Sequence, residues 1–172
     1  ACTQQALARL RLANGPDAPP TLADGIAHAE GATVLSEIKQ SARPMALCRA
    51  VVSRIRHHPE ILPMSFEPDL VAHMTGALPD RACGLVLHLS KLIGPAEHRD
   101  RMRAARAMGA RFIACHFTDL DVSAAFAHSH GLGLACWTVR DVATLSRVIA
   151  KGAAPIFEGL APETVKAALA VR

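Results

Sequence analysis

Short apolar runs alternate with amphipathic stretches along the chain. Runs rich in Val, Ile and Leu predict six strands, near 33–38, 61–65, 84–88, 111–115, 133–138 and 155–157. The strand starts lie about 20–30 residues apart, which is the repeat of a β-α unit. The runs are apolar on both faces, as is typical of parallel strands covered by helices. The pattern therefore predicts an α/β protein with a parallel sheet.

Residues with helix-capping chemistry lie between these runs. The predicted helix starts are Thr21, Ser41, Pro68, Pro95, Asp121, Asp141 and Pro162. Glycines end three of the helices, and the helix from Ser41 is expected to run to about His57. Those glycines are Gly109, Gly131 and Gly152.

Two architectures contain such a sheet: a doubly wound open sheet and a barrel of β-α units. No glycine-rich phosphate loop follows any predicted strand, which argues against a dinucleotide-binding sheet. Six units without a long linker favour the TIM-barrel type. We expect a single domain over residues 1–172.

The composition is typical of one globular domain, and the cysteine pattern is typical of a protein in a reducing compartment. The chain is 51% hydrophobic and 20% charged. Its five cysteines are odd in number and have no CxxC spacing, so we expect free thiols and a cytoplasmic location, with no disulfide framework or zinc site. No apolar run approaches the ~18 residues of a membrane span, and the first residues contain no signal-peptide core.

The formal charge of +4 comes largely from arginine, and five arginines fall between Arg99 and Arg111. A basic helix can bind phosphate or nucleic acid. No aromatic residues interleave with these arginines as a stacking platform for bases requires. We therefore expect a solvated helix face and no nucleic-acid partner.

Polar or aromatic residues follow every predicted strand. Singly, each has a structural explanation: His88 and His116 as hydrogen-bonded residues, Trp137 as a core cap, Glu37 with Lys39 as an ion pair. In β/α barrels, however, the active site is built at the carboxyl ends of the strands. The convergence therefore predicts a site formed by Glu37, Lys39, Ser65, Phe66, His88, Ser90, His116, Trp137, Thr138 and Glu158.

The chemistry of this set suits an anionic ligand. Glu37 offers a hard oxygen ligand for Mg²⁺ or Ca²⁺. Lys39 offers a positive charge to a phosphoryl oxygen, and Trp137 offers a flat apolar wall.

Four short motifs in register resemble the glycerophosphodiester phosphodiesterase family over residues from about 19 to 165. They are Pro20-Thr21-Leu22, Glu37-Ile38-Lys39, Ser65-Phe66-Glu67 and Trp137-Thr138-Val139-Arg140. The resemblance implies a β/α barrel and a metal-dependent hydrolase of lipid metabolism. Such an enzyme cleaves a glycerophosphodiester to glycerol 3-phosphate and an alcohol.

The resemblance also implies roles for individual residues. Glu37 matches a metal ligand and Lys39 a lysine that binds the substrate phosphate. Ser65, Phe66 and Trp137 match substrate-binding positions. His116 is a substrate-binding candidate by its strand-end position alone, because the family varies there.

The departures from the family pattern are as informative as the matches. The His-Arg-Gly strand end, the Glu-x-Asp and the His-Asp of the family, which include its acid-base histidines, do not occur; Glu67-Pro68-Asp69 aligns with a different motif. Arg140 replaces an asparagine, and residues 154–160 differ from the family ending. We therefore expect a barrel that lacks its first two β-α units, and we expect this chain alone to show little activity.

Three functions remain open. The first is a phosphodiesterase whose N-terminal part lies outside this sequence, which the resemblance favours. The second is a non-catalytic phosphate-binding or scaffolding relative, which the changes at Arg140 and 155–160 favour. The third is another phosphate-handling barrel enzyme. The expected partner is a small phosphodiester, and two open sheet edges predict pairing with a second copy or with a missing N-terminal segment.

Overall fold

Six parallel strands form one curled sheet in the computed structural model of the chain, which describes residues 4–13, 15–28, 32–88 and 94–170. The strands follow one another in the sheet in chain order, and each neighbouring pair is parallel. A doubly wound sheet reverses its strand order, whereas this one does not. The predicted barrel type is thus confirmed as a half-barrel. The strands are β1 Val34–Glu37, β2 Ile61–Ser65, β3 Gly84–Leu87, β4 Phe112–His116, β5 Gly133–Val139 and β6 Ala154–Phe157.

Helices precede the first strand, connect consecutive strands and follow the last one, and those between strands cover the outer face of the sheet. They are α1 Gln4–Ala8, α2 Leu22–Ala27, α3 Pro44–Ile55, α4 Pro68–Ala77, α5 Pro95–Ala107, α6 Leu120–His130, α7 Val142–Ala150 and α8 Pro162–Ala170, with a 3₁₀ turn at Phe117–Asp119 before α6. The sequence pattern did not predict α1. No helix in the described ranges is both long and apolar enough to cross a membrane.

The strands divide their side chains between two apolar clusters. Leu85, Leu87 and Ile113 belong to the larger cluster, between the sheet and the helices. Val86 and Ala114, at the alternate positions, belong to a smaller cluster on the other face of the sheet. This is the two-residue period of a strand. The smaller cluster lines the inside of the curl, which we call the concave face.

Several helix ends confirm the predicted caps. The Thr21 side chain accepts a hydrogen bond from the Asp24 amide, and the Asp24 carboxylate accepts one from the Thr21 amide. The helix α2 therefore begins with a capping box. Asp141 accepts from the Thr144 amide at the start of α7. Gly131 ends α6 with φ +65°, a left-handed conformation that glycine adopts without strain.

Two predicted helix starts are wrong. The helix assigned to Ser41 begins at Pro44, whose fixed φ and missing N–H suit the first helical turn. The helix assigned to Asp121 begins one residue earlier, after the 3₁₀ turn. Asp121 therefore lies in the first turn, where it pairs with Arg147 and Lys151 of the next unit instead of capping its own helix.

Candidate functional site

The strand period brings residues at or just after the end of each strand to the concave face. Lys39 apart, each lies two positions after a side chain of the concave cluster, as Phe66 follows Met64 and His116 follows Ala114. Sequence reasoning placed these residues at the strand ends, and the structure shows which of them line one cleft. The residues placed in this way are Glu37 at the end of β1 with Lys39 two residues later, Phe66 just after β2, His88 just after β3, His116 at the end of β4, Trp137 in β5 and Glu158 just after β6. Ser90 lies outside the described residues.

A cleft of about 410 Å³ opens among these strand ends. β1 and β6 are the two edges of the sheet, yet both contribute to the cleft because the sheet is curled. Its apolar floor comes from the concave face. The lining residues are Glu37, Lys39, Met64, Phe66, Val86, Trp137, Thr138, Ile156 and Glu158.

Glu37 and Lys39 form an ion pair on one wall of the cleft. The Lys39 ammonium lies 2.8 Å from Glu37 Oε1, and its side chain is 74% exposed whereas that of Glu37 is 20% exposed. Oε1 is buried, and the Lys39 ammonium is the one cation that contacts it among the described residues. A ligand cation that binds this oxygen would therefore compete with Lys39.

Trp137 and Phe66 form the aromatic wall of the cleft. The Trp137 indole N–H donates to the Ala114 carbonyl at 3.1 Å, which fixes the ring against β4. The Phe66 ring meets it edge-to-face with centroids 5.8 Å apart. Phe66 is 41% exposed although it is a large apolar residue. An exposed aromatic edge beside a charged pair suits a ligand with both apolar and anionic parts.

Two histidines lie beside this wall. The His88 and His116 rings meet edge-to-face at 4.3 Å, and the His116 ring lies 5.0 Å from that of Trp137. His116 Nδ1 is 2.8 Å from the Thr118 hydroxyl oxygen. Burial lowers the pKa of His116 below its ordinary value; the nearby His88 and Arg140 lower it further, and Asp119 opposes them. His116 is therefore a neutral hydrogen-bonding group at pH 7.

Ser65 lies on the other face of the sheet, although Phe66 next to it lies in the cleft. Its side chain is fully buried. The hydroxyl donates to the Ile38 carbonyl at 2.9 Å and accepts from the Glu67 amide at 3.2 Å. Ser65 thus ties the end of β1, with Glu37 and Lys39, to the end of β2. Its direct contact with substrate stays a prediction.

Arg140 and Glu158 form a second ion pair at the ends of β5 and β6. An Arg140 Nη2 donates to Glu158 Oε2 at 2.7 Å, and both side chains are 64% exposed. The register of β5 against β6 shifts between Cys136 and Val139. Within this irregular segment, Thr138 lines the cleft as well as Trp137. The pairing of Arg140 with Glu158 had no signal in the sequence.

The described residues do not form a metal site by themselves. Among them, no group of three His, Cys, Asp or Glu side chains has the arrangement to hold a metal ion. Mg²⁺ and Ca²⁺ take six or more oxygen ligands. Glu37 Oε1 offers one such oxygen, and the second carboxylate of the cleft, Glu158, is paired with Arg140.

Four of the five cysteines lie in the described part of the chain, away from the cleft. Cys48, Cys83, Cys115 and Cys136 are free and buried, and Cys2 lies outside the described residues. Cys115 and Cys136 are register partners on β4 and β5 and belong to the larger cluster.

Solved structures of glycerophosphodiester phosphodiesterases resemble the fold of this chain. The enzyme from Parabacteroides distasonis superposes with a TM-score of 0.77 at 20% identity, over 99% of this chain and 72% of that one. A protein from Galdieria sulphuraria assigned to the same activity gives 0.69 at 14% identity, over 98% and 70%. A glycerophosphoryl diester phosphodiesterase assigned in Silicibacter pomeroyi gives 0.64 at 21% identity, over 80% and 50%.

The comparisons support the resemblance found in the motifs at the level of the fold. The chain spans half the length of the Silicibacter pomeroyi protein. No protein-family model matches this sequence, and no curated protein sequence matches it.

Proposed function

We propose that the cleft binds the phosphate of a glycerophosphodiester and that the chain is the substrate-binding part of a phosphodiesterase that releases glycerol 3-phosphate and an alcohol. The observation that carries the proposal is the convergence of Glu37, Lys39, Phe66 and Trp137 on one cleft at the strand ends. The activity named for the structural neighbours supports the same substrate class.

Lys39 is the phosphate contact in this proposal. Its ammonium stands at the cleft, and a phosphoryl oxygen that approaches it competes with the Glu37 carboxylate. The alcohol part then lies along the wall of Trp137 and Phe66. Of the metal that the family resemblance implies, Glu37 would provide one ligand, and further ligands would have to come from outside the described residues.

The test is a calorimetric titration of the chain with sn-glycerol 3-phosphate. Lys39→Met should weaken binding about tenfold or more, since a hydrogen bond to a charged group contributes about 1.5–3 kcal/mol. The free energy of unfolding of the Lys39→Met variant should be nearly that of the wild type, because the Lys39 side chain is 74% exposed.

The matched control is Lys151→Met. Lys151 also pairs with a carboxylate, Asp121, at 2.9 Å, but at the end of α7 and outside the cleft lining. The Lys151→Met variant should bind sn-glycerol 3-phosphate with the same affinity as the wild type. Equal affinity of wild type and Lys39→Met would contradict the proposed site.

A non-catalytic phosphate-binding relative is the second candidate. The observation that favours it is the neutralisation of Glu158 by Arg140, because this removes a carboxylate that could otherwise serve chemistry in the cleft. The two functions differ in one measurement: both bind glycerol 3-phosphate, but only the first turns over a glycerophosphodiester once its chemistry is complete.

A further inference from the structure

Two ion pairs stand at opposite sides of the cleft. Lys39 pairs with Glu37 at the end of β1, and Arg140 pairs with Glu158 at the ends of β5 and β6. In each pair the carboxylate lines the cleft. Lys39 also lines the cleft, whereas Arg140 lies beside it and reaches it through its contact with Glu158. Each of these cations is paired with a carboxylate that a ligand in the cleft would contact.

The Arg140–Glu158 pair is solvated and easily exchanged. Both side chains are 64% exposed, and exposed ion pairs of this kind contribute little to stability. Glu158 accepts from one Nη of the guanidinium. No other hydrogen bond occupies the Arg140 side chain within the described part of the chain, so most of its five donors are available to a second anion.

Arg140 also lies near the end of β4. Burial is the main reason why the pKa of His116 lies below its ordinary value, and the charge of Arg140 adds a small contribution in the same direction. The His116 ring lies 5.0 Å from that of Trp137, which lines the cleft. The guanidinium is therefore near a group that borders the aromatic wall.

We propose that Arg140 is a second phosphate-binding residue of the cleft, opposite Lys39, and that Glu158 competes with the ligand for its guanidinium. This rests on the proposed function, in which the cleft binds a phosphate ester. The planar fork of arginine matches two phosphoryl oxygens, which a lysine at the same place cannot do. A phosphoryl group held between the two cations places its ester substituent along Trp137 and Phe66.

The experiment measures the affinity for sn-glycerol 3-phosphate at low ionic strength in two variants of the ion pair. Arg140→Asn removes the guanidinium and should weaken binding about tenfold. Glu158→Gln removes the competing charge and keeps the arginine, so it should tighten binding, by a few-fold. The signs of the two effects are opposite, and this separates ligand binding from a structural role of the pair.

The matched control is the ion pair of Arg147 with Asp121, at 2.6 Å between α7 and α6. Arg147→Asn and Asp121→Asn remove the same charges outside the cleft lining and should leave the affinity unchanged. These variants change the net charge of the chain by the same amounts as Arg140→Asn and Glu158→Gln, so they show how much of any change in affinity comes from net charge alone.

The outcomes distinguish the two proposals. If Lys39→Met weakens binding and Arg140→Asn does not, Arg140 is not a phosphate ligand, while the proposed function stands. If Arg140→Asn and Glu158→Gln weaken binding equally, the pair only positions the strand ends, and the inference is again overturned. If the wild type does not bind glycerol 3-phosphate, both proposals fail.

Discussion

His98 places an imidazole in the core between α5 and α6. The side chain is fully buried. Its Nε2 lies 3.0 Å from the Ser123 hydroxyl oxygen, and its Nδ1 is buried with no hydrogen-bond partner among the described residues. Burial lowers the pKa of His98 below its ordinary value, the charge of Asp119 opposes this, and Arg101 adds to it. The folded chain therefore holds His98 neutral.

We predict that His98 makes the free energy of unfolding fall in mild acid. In the unfolded chain its pKa is about 6.5, and in the folded chain it is lower. The unfolded state thus binds a proton first, and stability that is complete above about pH 6.5 declines as the pH falls through the folded pKa. Urea unfolding between pH 8 and pH 5 measures this. His98→Gln should flatten the decline, whatever its effect at pH 8, and an unchanged slope in the variant would refute the assignment.

At the scale of elements, β3 and β4 approach closely at their first residues. Gly84 and Phe112 are register partners. A Cβ on Gly84 would lie 2.1 Å from Phe112 Cε2, so the phenyl ring occupies the space that a side chain would need. Phe112 in turn belongs to the concave cluster. The missing side chain of Gly84 therefore lets this ring fill the end of the curl that lies away from the cleft.

Gly84→Ala should destabilise the fold by about 1–3 kcal/mol, because the methyl group forces the Phe112 ring from its place. The measurement is the midpoint of urea unfolding. Gly76→Ala is the control: Gly76 lies in α4, and a Cβ added there would have nothing within 4 Å. Alanine at this position should stabilise the fold by up to about 1 kcal/mol. Equal midpoints for the two variants would show that the ring is free to move.

At the scale of the whole molecule, the curl leaves β1 and β6 as unpaired edges in the described part of the chain. Their free backbone groups can pair with further strands. The absence of the first two β-α units, and pairing with a second copy or an N-terminal segment, remain predictions. So do the cytoplasmic location and the extent of a single domain.

We predict that the 172-residue chain alone releases almost no glycerol 3-phosphate from glycerophosphodiesters with Mg²⁺ or Ca²⁺. The described residues form no metal cluster, and loss of positioned acid-base groups removes about 10²–10⁴-fold in rate. An enzymatic assay for glycerol 3-phosphate, with and without a chelator, measures this. Robust chelator-sensitive release would contradict the prediction. It would direct attention to His88 and His116, and His116→Ala would then show whether the imidazole transfers the proton.

How far the sequence could predict the site is clearest at β2. The carboxyl ends of the strands were predictable from the apolar runs, and with them Phe66 and Ser65. A strand sends adjacent residues to opposite faces, but a run that is apolar on both faces does not reveal which face is concave. The position of Ser65 under the helices and of Phe66 in the cleft therefore needed the structure.

The sequence by itself determined the parallel α/β pattern, most of the helix caps and the ion-pair partners Glu37 and Lys39, because these depend on residues near one another in the chain. Only the tertiary structure decided that the opposite edges β1 and β6 share one cleft, and that Arg140 meets Glu158 there. Both follow from the curl of the sheet. The curl results from the packing of all six strands and their helices, and no local pattern of residues specifies it.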